Sequence, residues 1–204
     1  MRRKVLFLLL PLFFFSAQLL AAQYKLLVLG DSLSAAYGLK QEQGWVTLLQ
    51  NAWKQQNIDV VNGAISGDTT DGGLGRLPRL LQQTQPTHLL IELGGNDGLQ
   101  GYPVNNMKKN LAAMIELAQK QGVDVFLQQM RIPTNYGARY TSMFEQSYVD
   151  LAEQYQVPLI PFLLENIALN PELMQRDSIH PKAEAQPKIS EFMREQLEPY
   201  ILTE

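Results

Sequence analysis

Three residues of this sequence have side chains that together can carry out nucleophilic catalysis. Ser32 offers a hydroxyl, His180 an imidazole, and Asp177, three residues before the histidine, a carboxylate. A serine hydroxyl becomes a useful nucleophile when a histidine accepts its proton, and that histidine needs a partner on its other ring nitrogen to fix its tautomer. Asp177 can supply that partner by folding back in a tight turn. The residue types therefore indicate attack on the carbonyl of an ester or thioester.

Such an attack places negative charge on the carbonyl oxygen, which fixed N–H donors must stabilise. Loss of one such donor typically raises the barrier by about 3 kcal/mol. We predict three donors: the backbone N–H groups of Ser32 and Gly67, and the side-chain amide of Asn96. A glycine at position 67 is interpreted as allowing the backbone to approach the reacting oxygen closely.

Five short apolar runs are typical of strands that are buried on both faces of a parallel sheet. They lie at Lys25–Leu29, Ile58–Val61, Thr87–Leu93, Val123–Gln128 and Pro158–Ile160. Segments of helical length alternate with them, at Gly44–Gln56, Gly73–Gln83, Asn105–Gln121, Ser142–Gln156 and Lys182–Leu197. The alternation predicts an α/β fold with a five-stranded, mostly parallel sheet covered by helices. Ligands of such sheets bind beyond the carboxyl ends of the strands, which is where the candidate donors and the serine lie.

The amino terminus has the layout of a secretory signal peptide. Positive residues at 2–4 precede an apolar run at 5–15, and small residues end at Ala22. Pro11 interrupts the apolar run, which makes it a poor membrane-spanning helix, with an uncleaved anchor as the alternative. We predict cleavage after Ala22, a single domain over residues 23–204, and export to the periplasm, with secretion as the alternative.

Composition excludes several classes of function. Without residues 1–22 the chain carries 14 basic and 20 acidic residues, a net charge of −6, which argues against a nucleic-acid partner. The largest basic groupings, Lys108-Lys109 and Arg76 with Arg79, are interpreted as solvated helix faces. The chain has no cysteine and two histidines, which excludes disulfides and cysteine nucleophiles and argues against a histidine-rich metal centre.

Four blocks of the sequence resemble the motifs of the GDSL, or SGNH, hydrolases: Gly30-Asp31-Ser32-Leu33-Ser34, Gly67, Gly94-Gly95-Asn96-Asp97 and Asp177-x-x-His180. The resemblance implies a flavodoxin-like three-layer α/β/α sandwich, a triad of Ser32, His180 and Asp177, an oxyanion hole of Ser32, Gly67 and Asn96, and no metal or organic cofactor. Longer stretches are similar to the thioesterase, lysophospholipase and arylesterase branch of this family: Gly94–Leu99, Gln129–Gly137 and Val157–Phe162. They imply small-molecule acyl substrates, from aryl esters to long-chain thioesters.

The resemblance also implies a mobile loop that covers the bound acyl chain. That loop corresponds to Asp97, Gly98, Leu99, Gln100, Gly101 and Tyr102, and we hypothesise that it is a substrate lid. Tyr136 is expected to line the same binding site. The chain departs from the family pattern at Ser178, where a glycine usually stands between the aspartate and the isoleucine.

Other interpretations fit some of the same residues. Ser32 also suits the cap of a helix, His180 a surface turn, and Asn96 the end of a strand, while Asp31 and His88 are assigned structural roles. Rival functions are a short-chain acetyl or carbohydrate esterase, which needs a small polar pocket, and a non-enzymatic anion-binding module. The α/β-hydrolase fold is set aside because it expects G-x-S-x-G deep in the chain. An exported enzyme would meet lysophospholipids and environmental esters more than acyl-CoA, and a monomer is the default expectation.

Overall fold

Five parallel strands form the centre of the structure, a computed structural model that describes residues 24–202. They are β1 (Tyr24–Gly30), β2 (Ile58–Asn62), β3 (His88–Glu92), β4 (Asp124–Gln128) and β5 (Leu159–Ile160), in the order β2-β1-β3-β4-β5. All pairings between these five strands are parallel, which confirms the predicted α/β class. The predicted signal peptide at residues 1–22 lies outside the described residues.

Within residues 24–202 the structure has six α-helices: α1 (Trp45–Trp53), α2 (Thr70–Thr84), α3 (Gly95–Leu99), α4 (Val104–Gln119), α5 (Ala138–Tyr155) and α6 (Gln186–Ile201). Helices α1 and α6 pack together, as do α2, α4 and α5, so two helical layers sandwich the strands. Helix α4 confirms the predicted segment at Asn105–Gln121, and its buried residues Met107, Leu111 and Met114 recur every three or four positions, so they lie on one face. Across residues 24–202, no helix has both the length and the apolar character needed to cross a bilayer.

Some element boundaries differ from the prediction. Helix α5 begins at Ala138, four residues earlier than expected. The sequence did not reveal this first turn because it is largely exposed and carries no apolar periodicity. Helix α2 begins at Thr70, where the Thr69 hydroxyl accepts a hydrogen bond from the Gly72 N–H. The segment Asp97–Tyr102 was expected to be a loop, yet its first three residues belong to the short helix α3.

The strand order reverses between β1 and β3, since the chain runs from β1 outward to β2 and then back across to β3. A reversal of this kind opens a crevice at the carboxyl edge of the sheet, where ligands bind. Ser32 follows β1 and Asn96 follows β3, so the two residues lie on either side of the crevice. Gly30 at the end of β1 pairs with Glu92 at the end of β3, and a Cβ on Gly30 would come within 2.5 Å of the Glu92 carboxyl.

Candidate active site

Ser32, His180 and Asp177 form a continuous chain of hydrogen bonds. The Nε2 atom of His180 lies 2.8 Å from the Ser32 hydroxyl, and its Nδ1 atom lies 2.7 Å from Oδ2 of Asp177. The other carboxylate oxygen of Asp177 accepts the backbone N–H groups of Ile179 and His180, each at 3.0 Å. The fold therefore brings together the three residues that the sequence predicted, and in the order that proton transfer from serine to histidine requires.

The surroundings of Asp177 keep its carboxyl ionised. Partial burial acts to raise its pKa, but the hydrogen bonds from the backbone and ring of His180 and from the Ile179 N–H outweigh it and lower the pKa to about 2. An ionised carboxylate only accepts hydrogen bonds, so the Nδ1 atom of His180 carries the proton and Nε2 is left to accept one from Ser32.

A tight hairpin presents Asp177 and His180. The Lys182 N–H donates to the Leu173 carbonyl at 2.8 Å and the Gln175 N–H donates to the His180 carbonyl at 2.7 Å. Ser178 lies at the tip with a φ of +58°, a left-handed conformation that glycine adopts most readily. This geometry explains why the family pattern favours glycine at a position where this chain carries serine.

Two of the three predicted oxyanion donors are free to bind a ligand. Among the described residues, the backbone N–H groups of Ser32 and Gly67 donate to no protein atom, and both residues border one groove. Gly67 has a φ of +80°, and a Cβ there would meet no protein atom within 4 Å. The left-handed backbone conformation by itself favours glycine at this position. Close approach of the Gly67 backbone to the reacting oxygen stays a prediction.

The third predicted donor, Asn96, borders the same groove but already uses both hydrogens of its amide. One goes to Oδ2 of Asp31 at 3.1 Å and the other to the carbonyl of Asp68 at 2.8 Å. Both partners also sit beside the other donors, since Asp31 precedes Ser32 and Asp68 follows Gly67. The Asn96 amide can serve an oxyanion by exchanging or sharing one of these bonds.

Two buried carboxyl groups, Asp31 and Glu92, lie directly behind the serine. Oε2 of Glu92 accepts the Ser34 hydroxyl at 2.7 Å and the Asp31 N–H at 3.2 Å, while Oε1 has no partner within the described part of the chain. Burial, followed by the charge of Asp31, raises the pKa of Glu92 well above its usual range. Burial also raises the pKa of Asp31 to about 6, against the opposing effect of the bond from the Leu33 N–H. No pattern in the sequence indicated a role for Glu92, which is simply the polar residue at the end of an apolar run.

Arg76 holds the loop that carries Gly67 through hydrogen bonds to neighbouring residues. Its Nε donates to Oδ2 of Asp68 at 2.7 Å, and its other nitrogens donate to the carbonyls of Gly30 and Gly63. The interpretation of Arg76 as part of a solvated basic face was therefore wrong, because the guanidinium satisfies backbone carbonyls at the ends of two neighbouring strands.

A groove of about 740 Å³ opens beside Ser32 and His180. Its walls come from the loops after all five strands and are mostly apolar. The apolar lining residues are Leu33, Tyr37, Leu99, Met130, Ile132, Pro133, Phe162, Leu164, Ala168, Leu169, Met174 and Ile179. An ion pair between Arg131 and Glu165, 2.9 Å long, lies on the same wall. Of the predicted lid residues, only Leu99 belongs to this lining, and most of the other contributors are far apart in the chain.

The predicted lid residues have different surroundings. Leu99 borders the groove, whereas Gln100, Gly101 and Tyr102 are not among the residues that line it. Asp97 and Gly98 are buried, and the Asp97 carboxylate accepts the N–H and hydroxyl of Thr70 at 2.9 and 2.6 Å.

Two tyrosine hydroxyls hold the outer part of this loop. Tyr136 donates to the Leu99 carbonyl and Tyr140 to the Tyr102 carbonyl, each at 2.7 Å. Tyr136 was expected to line the binding site, but it does not border the groove and acts on it through Leu99.

The remaining candidates lie away from this chemistry. His88 is at the amino end of β3, beside Thr87 and 3.8 Å from the Asp124 carboxylate, in agreement with a structural role. Within residues 24–202, no three His, Cys, Asp or Glu side chains are grouped so that they could hold a metal ion.

Comparison with known proteins identifies close relatives over most of the chain. Residues 28–186 match the model of the GDSL-like Lipase/Acylhydrolase family. An arylesterase of Vibrio mimicus is 50% identical over 190 residues, which cover 92% of this chain and 95% of the relative. Thioesterase 1/protease 1/lysophospholipase L1 of Escherichia coli K12 is 45% identical over 181 residues, covering 89% and 86%. The crystal structure of the psychrotrophic esterase EstA from Pseudoalteromonas sp., inhibited by monoethylphosphonate, superposes with a TM-score of 0.86 at 44% identity, over 88% of this chain and 100% of that one.

Proposed function

The chain belongs to the GDSL-like lipase/acylhydrolase family and is an ester hydrolase, and we propose that it works through a covalent acyl-enzyme on Ser32. The observation that carries this proposal is the unbroken line of hydrogen bonds from Ser32 through His180 to Asp177, at the mouth of an apolar groove. Membership of a hydrolase family also removes the rival interpretation as an anion-binding module.

In the first half-reaction, Nε2 of His180 accepts the proton of Ser32 as the serine oxygen attacks the carbonyl carbon of the substrate. The carbonyl electron pair moves onto oxygen, where the N–H groups of Ser32 and Gly67 and the amide of Asn96 stabilise it. Collapse of this intermediate breaks the bond to the alcohol or thiol, which leaves with the proton from His180. Ser32 then carries the acyl group.

In the second half-reaction, His180 takes a proton from water, and the resulting hydroxide attacks the acyl carbon. The same donors hold the oxyanion, and the proton returns to Ser32 as the carboxylic acid leaves. Asp177 accepts the Nδ1–H throughout, so it stabilises the imidazolium that forms in each step without taking its proton.

The groove supports an acyl substrate longer than acetyl. Its volume of about 740 Å³ and its apolar walls suit a hydrocarbon chain, since burying each methylene contributes about 0.8 kcal/mol. The names of the Vibrio mimicus and Escherichia coli relatives point to aryl esters, thioesters and lysophospholipids as acyl donors. A small acetyl or carbohydrate esterase would need a shorter, more polar site than this groove provides.

The amino-terminal sequence supports export of the enzyme. Residues 1–22 combine a basic start, an apolar run and a small-residue end, which is the pattern of a cleaved signal peptide. The mature enzyme would then begin at Gln23 in the periplasm, where lysophospholipids and environmental esters are its accessible substrates. The intact mass of protein recovered from the periplasmic fraction tests both the export and the cleavage site.

A series of p-nitrophenyl esters from acetyl to palmitoyl tests the proposal, with Ser32→Ala as the control. We expect kcat/KM to rise with chain length in the mature protein and to fall by several orders of magnitude in Ser32→Ala. A maximum at acetyl would leave the triad in place but overturn the acyl groove, whereas wild-type turnover by Ser32→Ala would overturn the proposed nucleophile.

A further inference from the structure

The sheet alone does not explain how His180 comes to lie beside Ser32. Ser32 follows β1 and His180 follows β5, and two further strands, β3 and β4, lie between these strands in the sheet. At about 4.8 Å per strand, the ends of β1 and β5 are roughly 14 Å apart. The loop after β5 must therefore reach back across the edge of the sheet, and some contact must hold it there.

Gln175 makes that contact. Its side-chain amide donates one hydrogen to the Tyr37 carbonyl at 3.0 Å and the other to the Pro181 carbonyl at 3.1 Å. Within the described residues, this is the only hydrogen bond between residues 31–44 and residues 161–182 apart from that of Ser32 with His180. Both amide hydrogens are used, one on the loop of the serine and one on the loop of the histidine.

The backbone of Gln175 holds the histidine as well. Its N–H donates to the His180 carbonyl at 2.7 Å, which closes the hairpin around Asp177. Gln175 therefore binds the His180 carbonyl through its backbone and the Pro181 carbonyl through its side chain. The same side chain also binds the loop that carries Ser32.

Tyr37 links the hydrogen bonds of Gln175 to the imidazole ring of His180. The ring of Tyr37 lies 4.3 Å from the ring of His180, with an angle of 34° between their planes, although half of the tyrosine is exposed. Its carbonyl is the group that Gln175 binds. Next to it, a Cβ on Gly38 would come within 2.8 Å of the Gln175 side-chain oxygen, so the serine loop turns closely around the glutamine amide.

We infer that Gln175 is a positioning residue, which holds His180 at hydrogen-bonding distance from Ser32 by tying the loop after β1 to the loop after β5. This inference rests on the proposed function, because it concerns the proton transfer between those two residues. Gln175 does not border the groove, so it acts on the reaction only through His180 and Tyr37. A misplacement of about 1 Å in reacting groups can cost roughly 100-fold in rate, which sets the scale of its effect.

The test uses Gln175→Met, which removes both donors and keeps the side chain's length, and Gln175→Glu, which removes both donors, keeps the side chain's size and adds a negative charge. Gln41→Met is the matched control: Gln41 donates to the Ala35 carbonyl of the same serine loop at 3.1 Å but does not reach the histidine loop. We expect both Gln175 variants to lose roughly 10- to 100-fold in kcat for one p-nitrophenyl ester, with KM changed less than about twofold. The Gln41 variant is expected to keep the wild-type kcat, and thermal unfolding curves report whether each variant is folded at the assay temperature.

Combination with His180→Ala separates positioning from a general structural role. If Gln175 acts through His180, then Gln175→Met causes no further loss of the residual rate in the His180→Ala background. A loss of the same size in both backgrounds, or a wild-type kcat in either folded Gln175 variant, overturns the inference. The proposed function is tested separately by His180→Ala alone, since wild-type turnover in that variant would reject His180 as the base whatever Gln175 does.

Discussion

Asn96 donates an amide hydrogen to Asp31 at 3.1 Å, and Asp31 stands directly before the proposed nucleophile. The second amide hydrogen goes to the carbonyl of Asp68, directly after Gly67. The orientation of the Asn96 amide is therefore fixed by the two loops that carry the other oxyanion donors. A donor held in place in advance stabilises developing charge with little reorganisation, which here is limited to sharing or exchanging one of the two amide bonds.

Asn96→Ala is expected to lower kcat by roughly 10²- to 10³-fold with little change in KM, because the lost bond strengthens in the transition state. Steady-state kinetics on one ester measure both parameters. Asn105→Ala, on the exposed surface of α4, is the matched control and should be silent. A rise in KM with an unchanged kcat would show that Asn96 binds the substrate and not the oxyanion.

The buried pair of Asp31 and Glu92 predicts a pH dependence of stability. Burial raises the pKa of Asp31 from 3.8 to about 6, and that of Glu92 is also raised. Between pH 3.8 and about 6, the folded protein therefore holds more protons than the unfolded chain. The free energy of unfolding consequently falls as the pH rises through about 6. Asp177 acts in the opposite direction, but only below its ordinary pKa of 3.8, outside this window.

Glu92→Gln should therefore flatten the fall of Tm between pH 4 and pH 7, since it removes one of the two carboxyl groups whose pKa is raised by burial. Thermal unfolding at several pH values measures this difference. Glu153→Gln, an exposed residue of α5, is the control and should leave the wild-type slope unchanged. The same slope in Glu92→Gln as in wild type would contradict the pKa assignment of the pair.

Ser178 predicts a stabilising substitution in the active-site hairpin. Its φ of +58° costs a non-glycine residue about 1 kcal/mol, part of which glycine loses again through the greater entropy of the unfolded chain. Ser178→Gly is expected to raise the free energy of unfolding by about 0.5 kcal/mol, or Tm by about 1–2 °C, with kcat/KM unchanged. The same change at Ser142, within α5, should lower Tm because glycine is a poor helix former. A lower Tm in Ser178→Gly would refute the strain at this turn.

The tyrosine bonds predict how the loop after Asn96 affects chain length. Tyr136→Phe removes the hydroxyl that holds the Leu99 carbonyl, so the groove wall at Leu99 becomes less ordered. One hydrogen bond is worth about 1 kcal/mol, so kcat/KM for palmitoyl esters should fall about fivefold while acetyl esters are unaffected. Tyr200→Phe, an exposed position on α6, is the control. Equal effects on both chain lengths would contradict a role of this loop in acyl binding.

The features that the sequence predicted are those with a local signal. Alternating apolar runs indicated the strands, and the glycine-rich turns after them located Ser32 and Asn96, because parallel strands bring their carboxyl ends to one edge. The Asp-x-x-His spacing brought Asp177 to His180 through a single turn.

The features that it missed depend on contacts between distant parts of the chain. Glu92, Arg76 and Gln175 are ordinary polar residues in the sequence, and their roles arise only when their hydrogen bonds to Asp31, Asp68 and Tyr37 form. Most of the groove lining was missed for the same reason. The loops after the five strands, which form the carboxyl edge of the sheet, carry too little periodicity to indicate which of their side chains face the groove.

A covalent adduct at Ser32 tests the central claim most directly. The mature protein is treated with a fluorophosphonate ester, and its intact mass and peptide masses are measured beside those of Ser32→Ala. We predict a single adduct on the peptide that contains Ser32, loss of esterase activity in proportion to labelling, and neither adduct nor turnover in Ser32→Ala. An adduct on another residue, or full esterase activity in the labelled protein or in Ser32→Ala, would contradict an acyl-enzyme mechanism at this serine.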